Sequence, residues 1–133
     1  MQALSAGTVY FVAVFAAGFL LGVLRTLILL PLLGPLWAVL AELPIILGLA
    51  WLVCAKIMRR WRLPVGAAVA MGAVAFSLLM LAEAGISVQL AGRSLAEHVS
   101  LYSQLPHQLG LLGQMAFAAF PWAQAWRLRR WQV

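Results

Sequence analysis

Long apolar runs separated by short breaks dominate the sequence and constrain its fold more than any other feature. Of the 133 residues, 65% are hydrophobic and only 9% are charged. A soluble domain of this length could not bury that much apolar surface, because small domains have too much surface for their volume. Runs of about 20 apolar residues, in contrast, cross the ~30 Å hydrocarbon core of a bilayer as helices. The sequence therefore predicts an all-α integral membrane protein.

Prolines and basic residues mark the ends of four predicted transmembrane helices. The first ends at Pro31, the second ends at the basic stretch KIMRRWR, and the third begins after Pro64. The fourth contains Gln114 and Pro121, so a position in the membrane interface is an alternative for it. We predict one domain, an antiparallel bundle, with spans at about residues 6–30, 36–57, 65–90 and 108–126.

Basic residues concentrate on one predicted side of the membrane, and the net charge is +6. The turn at 31–35 carries none of them and the segment 91–107 carries only Arg93. The positive-inside rule therefore places both termini on the cytoplasmic side of the membrane. The basic side chains are also expected to attract anionic lipid headgroups, whereas no nucleic-acid partner is expected. These residues are Lys56, Arg59, Arg60, Arg62, Arg127, Arg129 and Arg130.

The segment 91–107 is the one substantial polar stretch. It contains SLAEHVSLY, in which Ser94 and Glu97 have the spacing of a helix capping box. We predict a short amphipathic helix on the outer surface of the membrane. Although Glu97, His98 and His107 are metal-ligand types, their spacing matches no known ligand set, so no metal or cofactor is predicted.

Three charged residues interrupt the apolar runs. Arg25 lies eight residues before the centre of the turn PLLGP at Leu33, and Glu42 lies nine residues after it. In antiparallel helices rising 1.5 Å per residue, both lie roughly 10 Å below the outer surface. Glu83 lies seven residues before the outer end of the third span at Leu90 and reaches the same layer. Because a bare charge inside a bilayer costs about 2.5–3.5 kcal/mol, we predict an intramembrane polar cluster.

Glycines near these charges predict close packing between helices. Gly18 and Gly22 share a helical face with Arg25, and Gly72 shares one with Glu83. Faces of small residues let neighbouring helices approach closely in a membrane. The same faces could bind a second copy of the chain or a partner from a membrane complex.

Two polar or helix-disrupting positions accompany the cluster. Pro44 has no N–H, so it is predicted to kink the second span and to leave the carbonyl of Leu40 free near Glu42. Gln114 in the fourth span is predicted to hydrogen-bond across helices.

The polar cluster has three interpretations. A buried Arg–Glu pair can serve only to fix the helix register. The cluster can also form a polar site, open to the outer side, for a small solute, an ion or a proton. In that case the carboxyl that Arg25 does not neutralise would be protonated or would hold a cation. Finally, Arg25 can extend its side chain to the outer headgroups.

The sequence carries no pattern that is typical of an enzyme. It has no phosphate-binding glycine loop and no nucleophile elbow, and Cys54 in its apolar run is expected to be an inert thiol. We therefore expect a structural or accessory membrane protein, in which Arg25, Glu42 and Glu83 fix the bundle. The alternative is a transporter or channel for a small solute, an ion or a proton, using Glu42 and Glu83 with Arg25 as counter-charge.

The stretch FAAGFLLGVLRTLILLPLLGPLWAVLAELPIILGLAW resembles a family of small, uncharacterised bacterial inner-membrane proteins. These proteins have a Gly-rich first helix with an Arg near its end and a Glu-x-Pro in the second. The resemblance extends loosely through MLAEAGISVQLAGRSLAEH, up to His98. It implies a four-helix membrane fold without an assigned activity, and it marks Arg25, Glu42 and Pro44 as shared pattern residues.

Overall fold

The computed structural model describes residues 1–130, and the regular secondary structure of these residues is entirely helical. The all-α prediction is therefore confirmed. The elements in chain order are α1 (Gln2–Leu24), a π-helical segment (Arg25–Leu29), α2 (Leu30–Trp61), α3 (Val65–Gln89), α4 (Leu95–Ser100), a 3₁₀ turn (Leu101–Ser103) and α5 (Leu105–Arg130).

The chain reverses its direction at Gly34, inside α2. Gly34 has φ 80° and ψ 169°, a combination that is open essentially only to glycine. In a straight helix Arg25 and Glu42 would be about 25 Å apart, because each residue adds 1.5 Å. Their side chains are instead 2.7 Å apart, which requires a hairpin. The reversal falls within the predicted turn at 31–35, but the prolines at both ends of that turn keep helical backbone angles.

The long helices form a four-helix bundle. α1 and α5 each pack against both α2 and α3. α1 and α3 run in one direction, while the part of α2 after Gly34 and α5 run in the other. The connection between α3 and α5 holds α4, and the predicted capping box is present there. Ser94 Oγ accepts a hydrogen bond from the Glu97 N–H at 3.1 Å, and Glu97 Oε2 accepts one from the Ser94 N–H at 2.8 Å.

Two helical stretches of the described chain are long and apolar enough to cross a membrane. One is the 60-residue stretch Gln2–Trp61, which Gly34 folds into the hairpin, and the other is α3 with 25 residues. Only 6% of the most apolar 18 residues of the hairpin are buried, whereas the core helix of a soluble protein would be mostly buried. These findings make the stretch Gln2–Trp61 and α3 candidate membrane segments by length and composition. No stretch of 18 described residues in α5 reaches the mean hydropathy required of a candidate membrane segment.

The two ends of the bundle are built differently. In α1, which is described throughout, no residue after Val14 is buried. The buried core lies at the end that holds the starts of α1 and α3. We call this end the packed half, and its largest contributors are Tyr10, Cys54, Met58, Met71 and Phe117. The other end holds Arg25, Glu42, Glu83 and Gln114, and we call it the polar half.

Candidate functional site: the polar half of the bundle

An ion pair joins the two arms of the first hairpin. Arg25 begins the π-helical segment, and Glu42 lies in α2 beyond the reversal at Gly34. The Arg25 Nη1 donates a hydrogen bond to Glu42 Oε2 at 2.7 Å, a length typical of a charge-assisted bond. The Arg25 side chain is 36% exposed and that of Glu42 only 12%. The pair therefore places the carboxylate in the bundle and leaves part of the guanidinium outside it.

A second polar pair joins the other two long helices. The Gln114 Nε2 of α5 donates a hydrogen bond to Glu83 Oε1 of α3 at 2.5 Å. Glu83 also interacts electrostatically with Arg25 and with His98, but neither of them hydrogen-bonds to it among the described residues. The three predicted charges thus lie near one another as an ion pair and a separate carboxyl–amide pair, rather than as one triad.

The segment between α3 and α5 contributes side chains to the same site. His98 of α4 is half-buried, and its ring meets that of Tyr102 edge-on, with 5.7 Å between the centroids. Burial raises the pKa of Tyr102, and the nearby Glu83 carboxylate raises it further. Because His98 also interacts electrostatically with Glu83, α4 contributes to the same site. His107 is exposed, and Glu97 is engaged in the capping box.

Two buried atoms of the site have no hydrogen-bond partner among the described residues. They are Oε1 of Gln114 and Nδ1 of His98. Buried polar atoms are nearly always hydrogen-bonded in folded proteins, so each unpaired atom calls for a physical reason. The described residues contain no group of three His, Cys, Asp or Glu side chains that could hold a metal ion.

The predicted glycine contacts differ in closeness. A Cβ on Gly18 would lie 3.6 Å from Ile46 Cδ1, and one on Gly22 would meet only Arg25 of its own helix, at 3.9 Å. Both positions thus have room for a side chain. At Gly72, in contrast, a Cβ would overlap the carbonyl oxygen of Ala118. The tightest approach that the structure shows at these three glycines is therefore between α3 and α5.

Pro44 lies inside α2 with helical backbone angles, and the departure from helical geometry within α2 is at Gly34. Because Pro44 has no N–H, the carbonyl of Leu40 receives no bond from position 44. The predicted free carbonyl therefore follows from the chemistry of proline, while the sharp bend of α2 lies ten residues earlier.

A polar contact in the packed half was missed in the sequence. The Tyr10 hydroxyl donates a hydrogen bond to the Phe117 carbonyl at 2.8 Å, and Tyr10 is fully buried. Pro121 stands four residues after Phe117 and cannot donate the helical bond to that carbonyl. Tyr10 of α1 thus takes the place of the missing backbone donor in α5. The signal in the sequence was Pro121, which frees one carbonyl in an otherwise apolar helix.

The packed half closes its end of the bundle by close contact. Tyr10 and Phe117 stack with 4.2 Å between ring centroids, and Gln124 Nε2 donates a hydrogen bond to the Trp51 carbonyl at 3.0 Å. Cys54 is buried in this core, away from the polar half.

No protein-family model, curated protein sequence or solved structure matches this chain significantly.

Proposed function

We propose that this chain is a multi-pass bacterial inner-membrane protein with a structural or accessory role, of the small four-helix family that its first hairpin resembles. In this proposal α1, α2, α3 and α5 each cross the membrane, both termini are cytoplasmic, and α4 lies on the outer surface. The exposed apolar side chains along the hairpin support membrane insertion, because monomeric soluble proteins rarely expose large contiguous apolar surface. Leu20, Leu27 and Leu32 are examples, and each is at least two-thirds exposed.

One observation carries the structural role: the polar half contains two pairs, and each links two helices. Arg25 and Glu42 link the arms of the first hairpin, and Glu83 and Gln114 link α3 to α5. Lipid tails are as apolar as leucine, so the hydrophobic effect does not hold helices together inside a bilayer. Hydrogen-bonded pairs can supply the missing attraction and fix the depth of each helix.

Basic residues at the ends of α2 and α5 support the proposed orientation. The guanidinium carbon of Arg130 lies 4.5 Å from the ring centroid of Trp126, and that of Arg127 lies 5.8 Å from the ring of Trp51. Tryptophan and arginine together are typical of the headgroup layer. We propose that these arginines, with those that end α2, bind anionic lipids on the cytoplasmic side.

Reporter fusions and co-purification test this function. A reporter that works only in the cytoplasm should be active when it is fused to either terminus. A periplasmic C-terminus would show that α5 does not span the membrane. An accessory role also predicts that the tagged chain, purified in mild detergent, retains a defined partner or a second copy of itself. A chain that purifies strictly as a monomer without a partner would contradict the accessory role.

A second candidate function is a transporter or channel for a small solute, an ion or a proton. The observation that favours it is that Glu83 is bonded to a neutral amide, while Arg25 is bonded to Glu42. Glu83→Gln separates the two candidates. A conduit would lose its flux in liposomes while the fold stays intact, whereas a structural role predicts a small change in stability and no loss of any flux.

A further inference from the structure

The two unpaired atoms of the polar half belong to side chains on α5 and α4. The Gln114 Nε2 bonds to Glu83, and the unpaired Oε1 belongs to the same carboxamide, so it lies next to the Glu83 carboxylate. The unpaired Nδ1 of His98 belongs to a ring that interacts electrostatically with Glu83. Oε1 of an amide is always an acceptor, and Nδ1 of a neutral imidazole can be one. A group that satisfies both atoms together has to donate hydrogen bonds.

Among the described residues, only one of the two carboxyl groups at this site is hydrogen-bonded to a cation. Arg25 donates a hydrogen bond to Glu42, so one of the two membrane carboxylates is already compensated. The groups that face Glu83 are Gln114 from α5, His98 from α4, Arg25 from the π-helical segment and Tyr102 from the 3₁₀ turn. Of these, Gln114 and Tyr102 are uncharged amide and phenol groups. A positive ligand with several N–H donors would satisfy the charge and the acceptors together.

We propose that the polar half binds a small ammonium-type cation, either ammonium itself or a primary amine, with Glu83 as counter-charge and Gln114 Oε1 and His98 Nδ1 as hydrogen-bond acceptors. The inference rests on the proposed placement of the polar half in a membrane, but it concerns binding and does not require flux. Hard metal cations such as Ca²⁺ and Mg²⁺ fit this donor set less well, because they prefer oxygen ligands and this site contains an imidazole nitrogen. An amine donates through N–H bonds in several directions, which matches acceptors on different helices.

The test uses the full chain, purified in detergent, and compares methylammonium with tetramethylammonium at equal ionic strength. Both carry one positive charge, but only methylammonium has N–H donors. We expect methylammonium to raise the thermal unfolding midpoint by about 3 °C or more at saturation, since a ligand that binds only the folded state stabilises it. Tetramethylammonium should leave the midpoint unchanged. Equal shifts with the two salts, or no shift with methylammonium, would overturn the proposal.

Three variants sharpen the test. Glu83→Gln should abolish the methylammonium shift, while Glu97→Gln, the same substitution at an exposed carboxylate, should retain it. His98→Ala lies outside the proposed spans and leaves both polar pairs intact, so it keeps the proposal testable even if Glu83→Gln does not fold. It should raise the methylammonium concentration for half-maximal shift at least about fivefold, because one acceptor is lost. An unchanged half-maximal concentration in His98→Ala, or a full shift in Glu83→Gln, would reject the site.

Failure here is separable from failure of the proposed function. A missing methylammonium shift with both termini in the cytoplasm rejects the cation site and leaves the structural role in place. A periplasmic C-terminus rejects the proposed topology whatever the salts do.

Discussion

The packed half and the polar half hold the same four helices together by different means. In the packed half the helices touch closely, with Gly72 against the Ala118 carbonyl and Tyr10 buried across the bundle. In the polar half Gly18 and Gly22 have room for a side chain, and two hydrogen-bonded pairs connect the helices. Van der Waals contact and interhelical hydrogen bonds are the two main attractions available to helices in a bilayer. The packed half therefore combines close contact with hydrogen bonds from side chains to backbone carbonyls, whereas the polar half is linked by hydrogen bonds between side chains.

The largest effect is expected where the packed half has no room. Gly72→Ala places a methyl group against a backbone carbonyl, which cannot rotate away as a side chain can. We expect the free energy of unfolding in mixed micelles to fall by at least about 3 kcal/mol. Gly66→Ala is the matched control in α3, because nothing lies within 4 Å of its Cβ position. Because alanine favours the helix more than glycine does, Gly66→Ala should lose no stability, and a similar loss in both variants would contradict the contact with Ala118 as the cause.

Within the polar half, the Arg25–Glu42 ion pair should be the most sensitive contact. Arg25→Ala leaves the Glu42 carboxylate, only 12% exposed, without its partner. Because the pair is partly exposed, we expect a loss of about 2 kcal/mol, below the 3–5 kcal/mol of a fully buried pair. The double variant Arg25→Ala/Glu42→Gln should be more stable than Arg25→Ala alone. Strict additivity of the two single effects would mean that the pair does not interact.

Tyr10 tests whether the packed half also depends on a hydrogen bond. Tyr10→Phe keeps the ring but leaves the Phe117 carbonyl without its donor, and we expect a loss of about 1–2 kcal/mol. Pro121→Ala restores a backbone N–H four residues after Phe117. In that background Tyr10→Phe should cost less, as measured by a double-mutant cycle of unfolding. An equal cost in both backgrounds would show that Pro121 does not create the need for Tyr10.

The smallest effect is expected at the carboxyl–amide pair. Glu83→Gln keeps the size of the side chain and can still bond to Gln114, so the free energy of unfolding should change by less than about 1 kcal/mol. Equilibrium unfolding of the purified variant measures this change. A loss as large as that of Arg25→Ala would show that the Glu83 charge itself stabilises the bundle.

Residue spacing along the chain predicts the level of a side chain along the helix axis, but not which helix it faces. The turn PLLGP and a rise of 1.5 Å per residue give the depth of Arg25 and Glu42, and the structure places their side chains in contact. Depth alone could not show that Glu83 bonds to Gln114, because that depends on which helix faces α3. The packing order of the helices also decides that Tyr10 meets Phe117, and no local pattern encodes it.

The small-residue contacts illustrate the same limit. Gly18, Gly22 and Gly72 have the same kind of spacing relative to a charge, yet only Gly72 lies against a backbone carbonyl. Whether a glycine is needed for close approach depends on the distance between the two helix axes. That distance is set by every contact along the interface and not by the glycine alone.

The bond between Tyr10 and Phe117 has a consequence for how the chain is made. The two residues are 107 positions apart, so at about 5–20 residues per second the ribosome adds Phe117 about 5–20 s after Tyr10. Throughout that interval the Tyr10 hydroxyl lacks the acceptor that it has in the folded chain. The hydrogen bond of Tyr10 can therefore form only after this part of α5 has been synthesised. We therefore expect quality-control proteases to degrade a chain that stalls before Pro121, because its packed half has not formed.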